Sequence, residues 1–381
     1  MTIQGWPGRG GAIRLRGLGN GYTQILLDGE RVPPGFSLDS LTPDQIERIE
    51  VLRAPTAETG ARRIAGTIKI ITRGGYTRRV NDVRLTAAHE NGKLQPSASW
   101  TRNLTAGDFI VNYSVSAFHI DRDNSSTTTT IDRRLDDGTV TLEQGDDGRL
   151  RVSGGGVHAT APLQWRPESG ADSLTLTPIL FANRFHSRRD GTLVQSVGTS
   201  PSPYDQAETT ARTGSSLARL NSEWTHRLGP EARVEMRAGI GQARSPVHSF
   251  GRESTGGAES RTLEEKSDSH DTSITASGKL VAAIFATHSL VSGIEVESNR
   301  RADTRTSLQD GQPILTDFAD NIGVSALRLA AYAQDEWSVS EHWAAHAGLR
   351  WEGIRTRGSV EEGQPEASIR SSVWTPLLHA V

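Results

Sequence analysis

The chain has 381 residues, of which 35% are hydrophobic, 23% charged and 39 are glycine, with a mean hydropathy of −0.47 and a formal net charge of −3. The negative balance argues against a nucleic-acid partner held by positive charge, and the absence of cysteine excludes disulfides, thiolate zinc sites, iron–sulfur clusters and cysteine nucleophiles. No run approaches the ~20 apolar residues of a membrane helix, whereas a membrane β-barrel stays open because only alternate residues of its strands meet lipid.

After Met1 the stretch TIQGWPGRGG has neither a basic n-region nor an apolar h-region, so no signal peptide is read there. Ile13 and Leu15 alternate as in a strand, the glycine-rich stretch Gly17 to Gly21 forms a turn, and Thr23 to Leu27 makes an apolar strand ending at an Asp28-Gly29 hairpin signal. The GLGNG cluster lacks the GK[ST] ending and precedes a strand, so tight turns explain it better than a phosphate loop. In LTPDQIERIEVLR, Thr42 suits a helix cap, Pro43 the first helical position and Gln45 the capping box. That predicts a helix of a turn or two before Ile49 and Val51 switch to strand, and Thr67 to Thr72 closes the unit.

The segments IRLRGLGN, ILLDGERVP and IERIEVLRAPTAETGARRIAGTIKIITR resemble the plug of TonB-dependent outer-membrane receptors. The likeness covers about sixty residues in order; Ala54 and Ala65 stand where that family usually has glycine. It implies a small α+β plug domain over residues 1–79. Arg16 and Arg53 match plug arginines that pair with glutamates on the barrel wall, in strands expected beyond Val381; the alternative is that both are solvated. The matching apical loop is Arg31-Val32-Pro33-Pro34-Gly35-Phe36, in which Arg31, Pro33, Pro34 and Phe36 either hold an anionic ligand such as a ferric siderophore or form a plain turn.

From residue 80 the texture becomes period-two. Phe109, Val111, Tyr113, Val115 and Ala117 share one face; Val234, Met236, Ala238 and Ile240 share another. Trp343, Ala345, Ala347, Leu349 and Trp351 do the same, and their eight-residue span, tilted, covers roughly 21 Å between two tryptophans. Short turns are expected near 103–107, 166–171, 228–230, 286–287 and 340–341. Long polar loops are expected at about 122–149, 189–211, 248–267, 302–323 and 358–369. That alternation favours an outer-membrane barrel over a soluble sandwich. The two Asp-Asp-Gly sequences at 136–138 and 146–148 read as hairpin turns, within a loop or adding a strand pair, with a calcium site as the lesser alternative.

LAAYAQDEWSVSEHWAAHAGLRWE resembles the mid-barrel hairpin of the same receptors. The fold expected is therefore a mainly β, transmembrane antiparallel barrel over residues 80–381, with about twelve of the roughly twenty-two strands a family barrel has. The resemblance implies capture of a scarce nutrient and import energised by TonB with ExbB and ExbD, in the Gram-negative outer membrane, surrounded by its lipid. The TonB-contacting segment is not recognised in the chain, which reads as an internal piece of a receptor or a truncated, non-transporting remnant; a soluble secreted β-rich binding protein is a third reading. No cofactor is expected. His342 and His346, i and i+4 on a strand, stand about 13 Å apart and cannot share a metal. No G-x-S-x-G or other nucleophile motif appears, so no enzyme activity is expected.

Overall fold

The computed structural model describes residues 2–4, 12–14, 23–27, 30–31, 46–52, 66–72, 81–134, 136–314, 321–340, 343–359 and 367–380. All regular elements among them are strands. The first six are β1 (Thr2–Gln4), β2 (Ala12–Arg14), β3 (Thr23–Leu27), β4 (Glu30–Arg31), β5 (Ile46–Leu52) and β6 (Gly66–Thr72). β1 and β2 form an antiparallel pair, and the other four form a mixed sheet in the order β4-β3-β6-β5.

In that mixed sheet β3 runs parallel to β6, and Leu27 lies opposite Glu30, the register of the expected Asp-Gly hairpin. Leu26, Ile68 and Ile70 are its buried apolar residues. One expectation fails here. The strand already begins at Ile46, paired with Thr72, where a helix was to persist to Ile49. β-Branched Ile46, Ile49 and Val51 suit a pleated strand, and pairing with β6 outweighs the capping signal. The cap itself, Thr42 to Gln45, lies outside the described residues, as do the turns at Ala54 and Ala65.

The remaining strands are β7 (Asn81–Glu90), β8 (Lys93–Ala106), β9 (Phe109–Arg133), β10 (Val140–Thr160), β11 (Leu163–Trp165), β12 (Asp172–Gly198), β13 (Gln206–Arg227), β14 (Ala232–Thr255), β15 (Ala258–Phe285), β16 (His288–Gln309), β17 (Gln312–Pro313), β18 (Asn321–Ser338), β19 (Ala344–Ser359) and β20 (Ala367–Ala380). They form one antiparallel barrel wall whose main path joins twelve strands, β20-β19-β18-β16-β15-β14-β13-β12-β10-β9-β8-β7. β11 continues β10 after a break at Ala161-Pro162 and pairs with the same two neighbours, β9 and β12. Proline supplies no ladder N–H, but the Pro162 carbonyl accepts from Asn112 N–H at 2.9 Å.

The short turns fall where the sequence placed them, with gaps at 107–108, 166–171, 228–231, 286–287 and 339–343. The opposite rim differs from expectation. Four of the five stretches read as long loops are mostly strand: β14 and β15 meet at Gly256-Gly257, and β16 leads into a turn at Asp310-Gly311; of the fifth, 358–369, residues 360–366 lie outside the described residues, as do 315–320 of the fourth. With Asn91-Gly92, these pairs have positive φ at both residues, 51° and 78°, 60° and 80°, and 53° and 75°. That is the two-residue turn whose twist matches flanking strands. Polar composition was mistaken for loop, although strands outside lipid carry polar residues on both faces. Asp136-Asp137-Gly138 forms the expected turn, but Asp146-Asp147-Gly148 lies within β10, paired to both β9 and β12.

Candidate functional site

The wall carries opposite chemistry on its two faces. Cross-strand register places Leu104, Val115, Val157, Leu180, Leu220, Ile240, Ile274, Ile294, Leu329, Leu349 and Trp374 on one face, and all are exposed. The buried residues on the other face are largely polar, including Asn103, Asn112, Ser114, His158, Arg219, Gln334, Arg350 and Glu352. A water-soluble sandwich buries its apolar face. This wall does the reverse, and an apolar exterior with a polar interior suits lipid outside and water or a plug within.

Aromatic residues collect at the short-turn rim. Phe109, Phe285, Trp337 and Trp343 are exposed there. Trp224 stacks on His226 with 5.6 Å between centroids, and His226 Nδ1 shares a 2.7 Å hydrogen bond with Asp172. The arrangement recurs across β16 and β18, where His288 stacks on Trp337 at 5.4 Å and bonds Asp335 at 2.7 Å. Apolar rings with polar handles suit a membrane–water boundary.

Inside, β16, β18 and β19 build an ionic network. Arg350, 1% exposed, donates from both terminal nitrogens to Glu295 at 2.8 and 3.2 Å and from Nε to Glu352 at 2.7 Å. Its guanidinium lies 5.4 Å from the centre of the Tyr332 ring. Arg328 binds Glu297 at 2.9 Å and approaches Glu295 and Glu352 at 3.4 and 3.5 Å. The network follows from alternation: Arg350 and Glu352 are i and i+2 on one strand, opposite Tyr332 and Ala330 on the next.

At the far rim the inward face carries a second charged group. Arg189 donates to Asp146, Arg261 donates to Glu253 at 2.7 Å, and Tyr204 lies in the connection between β12 and β13. Burial, then the charges of Asp146 and Glu253, push the Tyr204 hydroxyl above the usual phenol range. A neutral donor between two arginines and two carboxylates can hold a polar ligand at the mouth. Nothing in the sequence reading singled out this group or the Arg350 network. The signal available was inward arginine and glutamate at i and i+2 in strands, visible once the faces are assigned.

Of the site residues expected from sequence, Arg31 ends β4, in register with Leu26. Pro33, Pro34, Phe36, Arg16 and Arg53 lie outside the described residues, as does His342. His346 faces inward, 3.8 Å from Glu336 and 5.9 Å from the His379 ring centre. Among the described residues no group of three or more His, Asp or Glu side chains is placed to hold a metal.

A small mixed sheet followed by an antiparallel wall, apolar outside and polar within, is the architecture of a barrel protein of the outer membrane. The match to protein families carries the same assignment further. A family model described as "TonB dependent receptor-like, beta-barrel" matches residues 164–381, more than half the chain, and one for the "TonB-dependent Receptor Plug Domain" matches residues 1–67. The chain belongs to the TonB-dependent receptor family. Among curated relatives, the iron-regulated outer membrane virulence protein of Vibrio cholerae is 40% identical over 92 residues, which is 21% of this chain and 14% of that protein. Among solved structures, the closed form of the ferric-catecholate import receptor Fiu from E. coli K12 is 12% identical at a TM-score of 0.51, covering 94% of this chain and 55% of Fiu. BauA, the ferric preacinetobactin receptor of Acinetobacter baumannii, is 13% identical at 0.52, covering 93% of this chain and 53% of BauA. The chain thus spans about half the length of these receptors, and at such identities the likeness is one of fold.

Proposed function

We propose that the protein is an outer-membrane receptor that binds a scarce nutrient of the ferric-siderophore class and imports it with energy transduced by TonB and its ExbB/ExbD complex, with residues 1–79 as plug and 80–381 as barrel. The observation that carries this reading is the wall itself, lipid-compatible outside and polar inside, in a chain matched by both family models. The ligand class is supported by the proteins this chain resembles, an iron-regulated outer membrane protein and two ferric-siderophore receptors. Iron-loaded siderophores of the catecholate type are anionic, which suits capture by Arg31, Pro33, Pro34 and Phe36 at a plug apex and by Arg189, Arg261 and Tyr204 at the mouth.

Arg16 and Arg53 act as the plug's locking cations in this reading. The wall carries Glu295, Glu297 and Glu352 within the chain itself, and these are the carboxylates to test against them. A double-mutant cycle between each arginine and each glutamate reads the coupling directly. For transport, the chain is expressed in a strain lacking its own ferric-siderophore receptors, and radioactive iron uptake is followed with a panel of ferric siderophores. Uptake of one ligand that disappears when tonB is deleted is expected. Absence of binding and uptake across catecholate, hydroxamate and carboxylate siderophores, with the protein present in outer membranes, would overturn the ligand class.

A further inference from the structure

Histidines in the described strands meet varied cross-strand partners. His158 lies opposite Ser116 and Phe181, His186 opposite Arg212, His248 opposite Lys266, and His226 opposite Asp172. One pair differs. His346 of β19 lies directly opposite His379 of β20, and among the described ladder partners no other histidine faces a histidine.

Both imidazoles belong to the inward face. Leu349 and Trp374 mark the outward face of these strands, so even positions of β19 and odd positions of β20 turn to the lumen. The row continues onto β18, where Glu336 is the register partner of His346, and onto β16 at Ser289. Neighbouring strands thus present Glu336, His346 and His379 side by side.

The two rings are spaced for one ion between them. Their centres stand 5.9 Å apart, with 41° between the planes. A nitrogen–metal distance of about 2.0–2.1 Å puts each ring centre roughly 3.2 Å from the ion, so two imidazoles on a tetrahedral ion have centres roughly 5.2 Å apart. A small turn about χ2, a broad torsion in histidine, closes the difference. The other nitrogen of His346 is accounted for. Its Nδ1 lies 3.8 Å from Glu336 Oε1, which also accepts a 2.9 Å hydrogen bond from Gln334 Nε2. With Nδ1 turned to a carboxylate, Nε2 is left as the ligand atom, and a carboxylate behind the ring is the common outer partner of metal-bound histidine. His226 and His288 also have a carboxylate, Asp172 and Asp335, but each stacks on a tryptophan where a second imidazole would be needed.

The row is open to water. His346 stands two residues from the start of β19, about 5 Å above the short-turn rim, and short turns lie on the periplasmic side of such barrels. The inward cation next along the strand is Arg350, roughly 13 Å away and already held by Glu295 and Glu352.

We propose that His346 and His379 bind a divalent transition-metal ion at the periplasmic mouth of the lumen, with Glu336 as the positioning residue for His346. Imidazole suits copper, nickel and zinc, of which copper(II) binds tightest, whereas magnesium and calcium favour oxygen ligands. The protein supplies two ligands and water completes the shell, in keeping with the lack of a three-residue metal group among the described residues. The ion bridges β19 and β20, and the unfolded chain does not hold the two rings together, so binding stabilises the wall. The inference concerns a free hydrated ion and rests on the inward face, not on the imported nutrient.

The test uses the full chain folded in dodecylmaltoside micelles, stripped with EDTA and titrated with copper(II) chloride under electron paramagnetic resonance. One saturable ion coupled to two imidazole nitrogens is expected, falling to one nitrogen and about tenfold or more weaker binding in His346→Asn and in His379→Asn. Glu336→Gln should weaken binding about tenfold with the metal-free urea midpoint unchanged, and Glu336→Asp should restore part of it. Zinc should raise the urea midpoint of the parent and of neither histidine variant. His379 is exposed near the end of β20, so His379→Asn serves if His346→Asn fails to fold. A two-nitrogen spectrum persisting in both histidine variants would put the copper on other residues and overturn the proposal, as would the absence of saturable binding by the parent. Absent copper binding with intact iron uptake defeats only this inference; absent uptake with intact copper binding defeats only the transport reading.

Discussion

Ile294 offers the sharpest test of which medium covers the wall. It is 63% exposed, six residues along β16 from its start at His288, hence about 16 Å above the short-turn rim and close to the middle of a ~25 Å apolar band. Its cross-strand partners are Gly278 and Ala331, so the side chain meets no bulky neighbour in register. Arginine at the midplane of such a barrel costs about 2–4 kcal/mol, falling to about 0–1 near the interfaces. At this depth Ile294→Arg should cost roughly 2–3 kcal/mol, a 30- to 150-fold shift in the folding equilibrium. In water the same exposed substitution would change stability by no more than about 0.5 kcal/mol. The assay is urea unfolding of the chain folded into phosphatidylcholine vesicles, followed by tryptophan fluorescence. Ser277→Arg is the control, since position 277 faces inward between Arg237 and Glu295, away from lipid. If Ile294→Arg proves as stable as the parent while Ser277→Arg loses 2 kcal/mol or more, the faces have been assigned the wrong way round.

Removing Arg350 as methionine takes from Glu295 and Glu352 their shortest ion pairs and leaves the longer contacts to Arg328, so a loss near 3 kcal/mol is expected in the same unfolding assay, recovered in part by adding Glu352→Gln. Gly155 approaches β9 so closely that an added Cβ would stand 2.3 Å from the Phe118 carbonyl oxygen. Gly155→Val should therefore lower the urea midpoint by an amount equivalent to about 1–3 kcal/mol, while Gly145→Val, with open space around it, should cost far less. The hydrogen bond from Arg244, reinforced by its charge, holds the Asp268 carboxyl below its ordinary value of 3.8. Its contribution is complete above that value and disappears as pH falls through the lower, folded one. Pepsin nicking of the β14–β15 ribbon should accordingly rise as pH falls below the ordinary 3.8, with His270 as the other group facing this carboxylate. Asp268→Asn should nick readily throughout that range.

How much of this was legible in the sequence depended on whether a residue's role was local or relational. The faces of Phe109 to Ala117 and of Val234 to Ile240 follow from alternation alone, because strand side chains have a period of two whatever surrounds them. The short turns were legible because apolar strands end abruptly beside them. The far rim was misread because polarity was taken to mean loop; Asn91-Gly92, Gly256-Gly257 and Asp310-Gly311 are strong hairpin signals that should have outweighed it. The helix expected before Ile49 failed for a relational reason, since Ile46 gains its strand partner from Thr72, twenty-six residues onward. The Arg350 network was invisible for the same reason, as its five charged groups come from three strands.

The two boundaries of the lipid layer are each marked by their own chemistry. At the lower edge, the Trp224–His226–Asp172 and Trp337–His288–Asp335 groups set rings against polar partners on the outward face. At the upper edge the outward residues change from Ile240 through Gln242 to Arg244 on β14 and from Ala182 to Arg184 on β12. Along β14 the apolar outward run from Val234 to Ile240 spans six residues, about 16 Å, and extending it to Gln242 gives about 21 Å. That is slightly short of the ~25 Å typical of such barrels. The shortfall is one outward position, so the layer's upper surface falls at Gln242 or Arg244, and arginine's apolar stem can cover the last few ångströms while its charge reaches the head groups. Arg244 keeps its guanidinium there by binding Asp268 at 2.9 Å. The same strand that is lipid-facing at Ile240 is thus head-group-facing by Arg244.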